Sequence, residues 1–533
     1  MVNLTGLDAR VVSDQGAPSG EKFFAFWNPP FLANTGERRS SSSEATTIFA
    51  KLIRKRIRSI VFTQSRKQAE LILAYAKAQL KGQAAELKNR IMSYRAGYRA
   101  EDRREIERRL FSGELLGVTS TTALELGVDV GGLDTAILTG YPGTIASAWQ
   151  QAGRAGRSQD KSLAVLVAMD NPLDQFLMRH PEYFFGETPE SAIIDSQNPH
   201  ILAAHALCAA FEIPLTNDEV GLFGMQLYEV LAVLAEVGQL DYRGGRWHWT
   251  GMEYPAKQVN IRSTSSDSYE IIDITEGVEI LLGNVDAANA YRTIHPGAIY
   301  LHAGESYIIE KLDVEDRKAF VSKADVSYYT VPNSINEVKI EAETLSKPFC
   351  GGSAHFGDVK VTDRVIGYKK HELFNEAVVG HYVLDLPSQE FLTEAIWIEI
   401  PEEIMNRVMG RGFDFAGAIH AVEHAAIGIL PLFAMCDRQD IGGVSHPAHP
   451  DLGGLAGIFI YDAHPGGVGI AETAYDKLDN LLGTTLEAIE NCACEDGCPS
   501  CVQSPKCGNN NHPLDKAGAA FLLRELLSTC ATA

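Results

Sequence analysis

The sequence predicts a multidomain α/β protein, and three observations carry the prediction. Strand-like and helix-like segments alternate between residues 45 and 186, the pattern of a parallel sheet with crossover helices. Two apolar-periodic helices and a short aromatic hairpin come next, and a β-rich stretch follows them. Five of the nine cysteines then crowd between 492 and 507, inside a second mixed α/β region. A chain of 533 residues has room for about three or four domains.

Residues 1–44 read as a connector or tail, because FFAFWNPPFL carries a Pro pair and ERRSSSSEA is polar. Residues 45–186 form the parallel-sheet lobe. RSIVFTQS is a buried strand ending in polar residues, and RKQAELILAYAKAQL has apolar residues at helical spacing. RIMSYRAGY is a strand and turn, and AEDRREIERRLFSG is a charged helix stopped by Gly113. LLGVTSTTALELGVDV gives strand, loop and short helix, and LDTAILTGYP and SLAVLVAMD give two more strands. Residues 187–255 are winged-helix-like, with two amphipathic helices and DYRGGRWHWTG as a hairpin on a Gly-Gly turn. Residues 256–365, rich in β-branched and aromatic residues, suit a small antiparallel β domain. Residues 366–533 form the last, mixed α/β domain with the cysteine cluster.

The net charge of −22 gives a global field that repels nucleic acid. The distribution is uneven: between Lys51 and Leu110, 17 Lys+Arg face 6 Asp+Glu. A basic lobe in an acidic chain is what a local phosphate contact requires. The start, MVNLTGLDARVVSDQ, lacks the basic and apolar pattern of a signal peptide, and no apolar run reaches a membrane span. A cytoplasmic protein that does not engage membranes is the expectation.

The densest chemistry lies between 117 and 157. Gln150, Gly153, Arg154, Gly156 and Arg157 spell Q-x-x-G-R-x-G-R. The glycines let the backbone approach another surface, and the two arginines offer forks that suit phosphate oxygens. Upstream, Ser120–Asp129 supplies hydroxyls and a carboxylate after an apolar strand. The chain has no Gly-Lys pair, so the phosphate cradle G-x-x-x-x-G-K-[ST] is missing. Asp218-Glu219 lies downstream of Arg157, and Gly221 stands where an acidic DExH box needs His.

At these motifs the chain resembles the second motor lobe of superfamily-2 helicases, through their motifs V and VI. Over nearly its whole length it resembles the YprA/MrfA-type helicases, which share a C-terminal four-cysteine domain with fungal RecQ-like relatives. TSTTALELGVDVGGLD, QQAGRAGR, HPGAIYLHAGESY, CDRQDIGG and CACEDGCPSCVQSPKCGN carry the resemblance. It implies a RecA-like lobe, use of ATP and Mg2+, 3′-to-5′ movement on DNA and a role in DNA repair. It implies Arg157 as the arginine finger with Arg154 beside it, and Gln150 orienting water or touching nucleotide. Gly127, Asp129 and Gly153 would shape the nucleotide contact. Thr63, Ser65, Arg66, Thr121 and Thr122 would meet the backbone of single-stranded DNA or a tailed duplex. The first motor lobe is expected outside this polypeptide, supplied in trans or encoded upstream, and a repair nuclease is a further candidate partner. Without that lobe the chain is expected to be inactive; the alternative is a free-standing DNA-binding or regulatory module.

NCACEDGCPSCVQSPKC is the second strong signal. The C-x2-C pair at Cys498 and Cys501 is a two-thiolate bite for tetrahedral zinc. Cys492, Cys494, Cys498 and Cys501 are the expected ligands of one structural zinc, with Cys507 as the substitute for Cys492. Four thiolates also suit an iron–sulfur cluster. His420, Glu423 and His424 match the H-x-x-E-H pattern of zinc peptidases. They lie in an apolar helix, so packing or hydrogen bonding is the expectation for them. Gly466, Gly467 and Gly469 mark a tight turn.

Overall fold

The structure, a computed structural model, describes residues 7–8, 10, 12, 20–32, 38–126, 132–156, 161–190, 193, 195, 198–257, 259, 268–349, 352–373 and 377–528. The lobe is a six-stranded parallel sheet built from β1 (Lys22–Trp27), β2 (Ser59–Thr63), β3 (Ile91–Tyr94), β4 (Gly117–Ser120), β5 (Thr135–Thr139) and β6 (Ser162–Val167). Its strand order is β1-β6-β5-β2-β4-β3. Every residue of β2 is buried, because helices cover both faces of a parallel sheet. Alternate side chains face opposite layers. Val61 packs with Phe49 and Ile72 of α1 (Ser41–Arg54) and α2 (Arg66–Gln79). Ile60 and Phe62 pack instead with Ile106, Leu110, Ile145 and Ala148. Those residues belong to α3 (Ala100–Phe111) and α4 (Ile145–Ala152), and α5 (Pro172–Arg179) and α6 (Pro181–Gly186) extend the same layer.

Two departures correct the expected connector at 1–44. Strand β1 pairs in parallel with β6 from Lys22↔Ser162 to Trp27↔Val167, so it belongs to the lobe. Its Pro pair lies just past the strand, where the missing N–H groups cost the ladder nothing. The Lys22 ammonium also donates to the Ala152 and Ala155 carbonyls at 2.7 Å each, a cation at the end of α4. The serine run is helical: Ser40 caps α1 by accepting from the Ser43 N–H at 3.2 Å.

Next come α7 (Pro199–Glu212), α8 (Val220–Phe223), α9 (Leu227–Glu236) and a hairpin of β7 (Leu240–Arg243) with β8 (Arg246–Trp249). Leu202, Leu231, Leu234 and Leu240 form its core, and three helices followed by a hairpin make a winged helix.

A five-stranded sheet follows, made of β9 (Ser268–Asp273), β10 (Ile280–Asp286), β11 (Ile299–His302), β12 (Glu305–Asp313) and β13 (Lys318–Lys323), with α10 (Ala287–Thr293) against it. This β domain is locked to the lobe by one buried acid. Glu70 of α2 pairs with Arg95 at 3.0 Å, and both side chains are 1% exposed. Glu70 also accepts from the Tyr98 hydroxyl and from the Ala303 and Gly304 N–H groups in the β11–β12 turn. Arg95 in turn donates to the Leu301 carbonyl at 2.9 Å and the Tyr300 hydroxyl at 3.1 Å. Burial, then the charge of Arg95, pushes His302 down to about 4, so it meets Arg95 as a neutral ring. Glu70→Ala leaves a buried guanidinium uncompensated, and an expected loss is about 3–5 kcal/mol. Chemical denaturation followed in the lobe checks this; a loss under about 1 kcal/mol, the range of an exposed pair, would contradict it.

The last domain begins earlier than expected. Strands β14 (Tyr328–Phe349) and β15 (Gly352–Glu372) form one long hairpin. β15 also pairs with β16 (Val378–Val383) and β17 (Gln389–Ile400). β17 continues to β19 (Ala456–Asp462) and then β18 (Ile441–His446). The boundary expected at 365/366 therefore cuts through β15. The polar, solvent-facing run NEVKIEAETLSK hid the strand, since only one side of the hairpin meets the core. Among the described residues, five helices cover this sheet, α11 (Glu402–Gly410), α12 (Phe415–Ile429), α13 (Ile470–Asp476), α14 (Leu478–Glu490) and α15 (Lys516–Ser528), the first and last of them packed on α12. The stretch Phe415–Leu432 is long and apolar enough to cross a membrane, but 89% of it is buried in this core. The Gly466–Gly469 turn is tight as expected: all three glycines have positive φ, and Asp462 accepts the Val468, Ile470 and Ala471 N–H groups that follow.

Candidate functional site

In an open parallel sheet the carboxyl ends of the strands share one edge, where ligands bind. β2 and β4 are neighbours in register, with Phe62 opposite Ser120, so the segments after them emerge side by side. Ser65 caps α2 by accepting from the Gln68 N–H at 3.1 Å, and Arg66 beside it is exposed. Thr122 is exposed and Thr121 half-buried on the adjacent turn. These four expected nucleic-acid contacts thus share one outer surface. Thr63 does not join them. It is 4% exposed, and its hydroxyl donates to the Ser120 and Ser65 carbonyls, so it ties the two turns together from beneath.

Helix α4 carries the rest of the motif. Thr144 caps it by accepting from the Ser147 N–H at 3.0 Å, and Gln150 faces solvent beside the 39%-exposed Trp149. Gly153 closes the helix where a Cβ would lie 3.0 Å from the Trp149 carbonyl. Gly156 holds φ +81° beside Ser162, a position that no larger residue fits. Arg154 departs from its expected role. It is 8% exposed, and its guanidinium donates twice to the Glu125 carbonyl, with the Nε contact at 2.9 Å. Burial lowers its pKa, and its fork points inward. Arg154 therefore anchors the loop after β4. Arg157, Gly127 and Asp129 lie outside the described residues.

Glu125 escaped the sequence reading. Its carboxylate accepts from the Ser147 hydroxyl at 2.7 Å and the Gln151 amide at 2.9 Å, while its carbonyl takes Arg154. One residue thus couples the loop after β4 to α4. The hint in the sequence is a glutamate among apolar residues in TTALELG.

The basic stretch Lys51–Leu110 is not one open face, which corrects the simplest reading of its charge. Arg95 is inside, and Arg58, Arg90 and Arg109 donate to backbone carbonyls at Leu110, Glu114 and Asn89. Arg99 and Arg108 pair with Asp102 and Glu105 one helical turn away.

The four expected metal ligands do converge. Cys492 Sγ lies 3.6 Å from Cys494 and 3.5 Å from Cys498, and Cys501 lies 3.5 Å from Cys494 and 3.8 Å from Cys498. A tetrahedral zinc with 2.3 Å bonds to sulfur has edges of about 3.8 Å, so the set fits. Hydrogen bonds from Cys498 and Cys501 drive the Cys492 thiol down, while the same bonds push those two up. A divalent cation among the four sulfurs favours their thiolate forms. The Lys516 ammonium grips the Cys492 and Cys494 carbonyls and docks α15 on the loop. Ser500, between the last two ligands, donates to Asp170 just after β6, so the metal loop touches the lobe. Cys507 is not a substitute for Cys492, because the loop turns it toward His420 Nε2, 3.4 Å away. Glu423, the acid of the peptidase-like pattern, is buried beside Ser445 and pushed up to about 7 by that burial.

Three family descriptions match in chain order. "Helicase conserved C-terminal domain" covers residues 44–159, "ATP-dependent helicase HRQ1, winged helix domain" covers 194–264, and "MrfA Zn-binding domain" covers 422–502. The solved structure of the DUF1998 helicase MrfA bound to DNA is 38% identical and matches with a TM-score of 0.71, covering 98% of this chain and 69% of that one. The chain belongs to the MrfA-type helicase family. MrfA bound to DNA and AMPPNP matches with a TM-score of 0.69 at 37% identity, covering 98% and 68%. The ATP-dependent helicase YprA of Bacillus subtilis is 40% identical over 507 residues, 94% of this chain and 66% of YprA. The ATP-dependent helicase hrq1 of Schizosaccharomyces pombe is 32% identical over 553 residues, 99% of this chain and 51% of hrq1. The chain thus spans between half and two thirds of these curated relatives. The MrfA zinc-binding segment contains all four converging thiols, which makes zinc the fitting ion for them.

Proposed function

We propose that this chain forms the second motor lobe, the winged helix and the zinc-binding part of an ATP-dependent 3′-to-5′ DNA helicase acting in DNA repair in the cytoplasm. The observation that carries this reading is the shared edge of Ser65, Arg66, Thr121 and Thr122 beside α4, in a chain 38% identical to a helicase solved on DNA. Gln150, exposed on α4, then meets nucleotide or water. Arg157 then acts as the arginine finger, with Gly127 and Asp129 at the nucleotide. The phosphate cradle and the Mg2+ come from a first lobe, since the sequence carries no Gly-Lys pair. That same lack favours a second reading for the chain by itself, a DNA-binding module without turnover.

Binding to single-stranded or tailed DNA is the test. Affinity should fall with salt at a logarithmic slope of about 0.7 per phosphate contacted on a single strand. Titrations across salt concentrations measure it. Arg66→Ala should lower the slope by about one contact without changing sequence preference. Binding that is absent at low salt, or flat as salt rises, contradicts the assignment. The chain alone should show no DNA-stimulated ATP hydrolysis, and a supplied first lobe should restore it.

A further inference from the structure

We propose a second metal centre, in which His420 Nε2, His424 Nε2 and Cys507 Sγ hold a zinc-class divalent cation with one coordination place left for water. The donor atoms lie within 4.8 Å of one another. His420 and His424 sit one turn apart on α12 with ring centroids 4.2 Å apart. Each ring is fixed from behind. His420 Nδ1–H donates to the Pro513 carbonyl at 2.7 Å, and His424 Nδ1–H to the Val502 carbonyl at 2.9 Å. A backbone carbonyl on one ring nitrogen sets the tautomer and leaves the other as a lone pair, the usual support of a metal-bound histidine.

The thiol is prepared in the same way. The Asn511 N–H donates to Cys507 Sγ at 3.3 Å, just as the Cys498 N–H donates to Cys501 Sγ at 3.3 Å in the four-thiolate centre. Asn510 and Asn511 both take positive φ, 55° and 61°, to turn that amide onto the sulfur. A backbone donor aimed at sulfur suits the thiolate that a divalent cation binds. The 3.4 Å between His420 Nε2 and Cys507 Sγ matches the edge of about 3.5 Å in a tetrahedron with bonds of about 2.0 Å to nitrogen and 2.3 Å to sulfur. Glu423 accepts from Ser445 on β18 and adds a carboxyl near His420 and Cys507. His420 and Cys507 both lie outside the matched zinc-binding segment, 422–502.

The count of one zinc per chain expected from spacing then becomes two. Elemental analysis of the full chain after exhaustive dialysis should find two zinc ions, and Co2+ exchanged for zinc in the folded chain should saturate at two equivalents. The two should differ in their visible bands, one carrying four thiolates and one carrying a single thiolate with two imidazoles. Cys507→Ser and His420→Ala should each lose one equivalent and keep the four-thiolate bands, which also reports that the domain remains folded. Saturation of the unaltered chain at one equivalent overturns the proposal without recourse to any variant. Two equivalents that persist in both variants overturn it as well, since the second ion then binds elsewhere.

Discussion

Cys501→Ser is expected to unfold the C-terminal domain. Cys501 is fully buried, and its sulfur lies 3.5 Å from Cys494 and 3.8 Å from Cys498. Apparent binding energies of structural zinc in small peptides are about 10–16 kcal/mol, as large as the whole stability of a typical domain. Zinc here also organises the loop to which Lys516 fastens α15, so its loss frees a helix that packs on α12. Stripping the unaltered chain with a strong chelator should have the same effect. Thermal unfolding and limited proteolysis check both routes, with Cys208→Ser as a control expected to stay within about 0.5 kcal/mol. A cooperative, protease-resistant C-terminal domain without zinc would contradict the structural role.

Once a first lobe restores turnover, Arg157→Ala is expected to cut ATP hydrolysis by about 10³–10⁵-fold while sparing DNA binding. Arg154→Ala should behave differently. Its guanidinium serves the Glu125 carbonyl, so its loss should lower the stability of the lobe and loosen the loop after β4. Steady-state turnover, DNA affinity and melting temperature, measured on both variants, separate a finger from an anchor. Equal losses of turnover at unchanged stability would place both arginines in the cleft.

The lobe was legible because its strands are short, buried and apolar, as in SIVFT, and because helical spacing between them is clean. Strand β1 was not, because Pro29 and Pro30 masked an aromatic strand whose partner lies 140 residues on in the chain, at Ser162. The glycine-arginine motif announced chemistry but not direction. Arg154 and Arg157 share a residue type, and only burial reveals that the first is turned inward. The cysteine spacing picked the four converging thiols correctly. It misjudged Cys507, because the turn that carries it depends on the left-handed conformations of Asn510 and Asn511. Glu125 carries no motif at all, and its importance arises from three partners that the chain brings together only on folding.

The buried acid at Glu70 has a mechanical consequence. Four donors reach it, two from the lobe's own Arg95 and Tyr98 and two from the backbone at Ala303 and Gly304. Sliding the lobe against the β9–β13 sheet would strand a buried charge, so the two should move together as one arm. A small displacement at the lobe then becomes a larger sweep at the far end of that sheet, steered by a carboxylate that solvent hardly reaches.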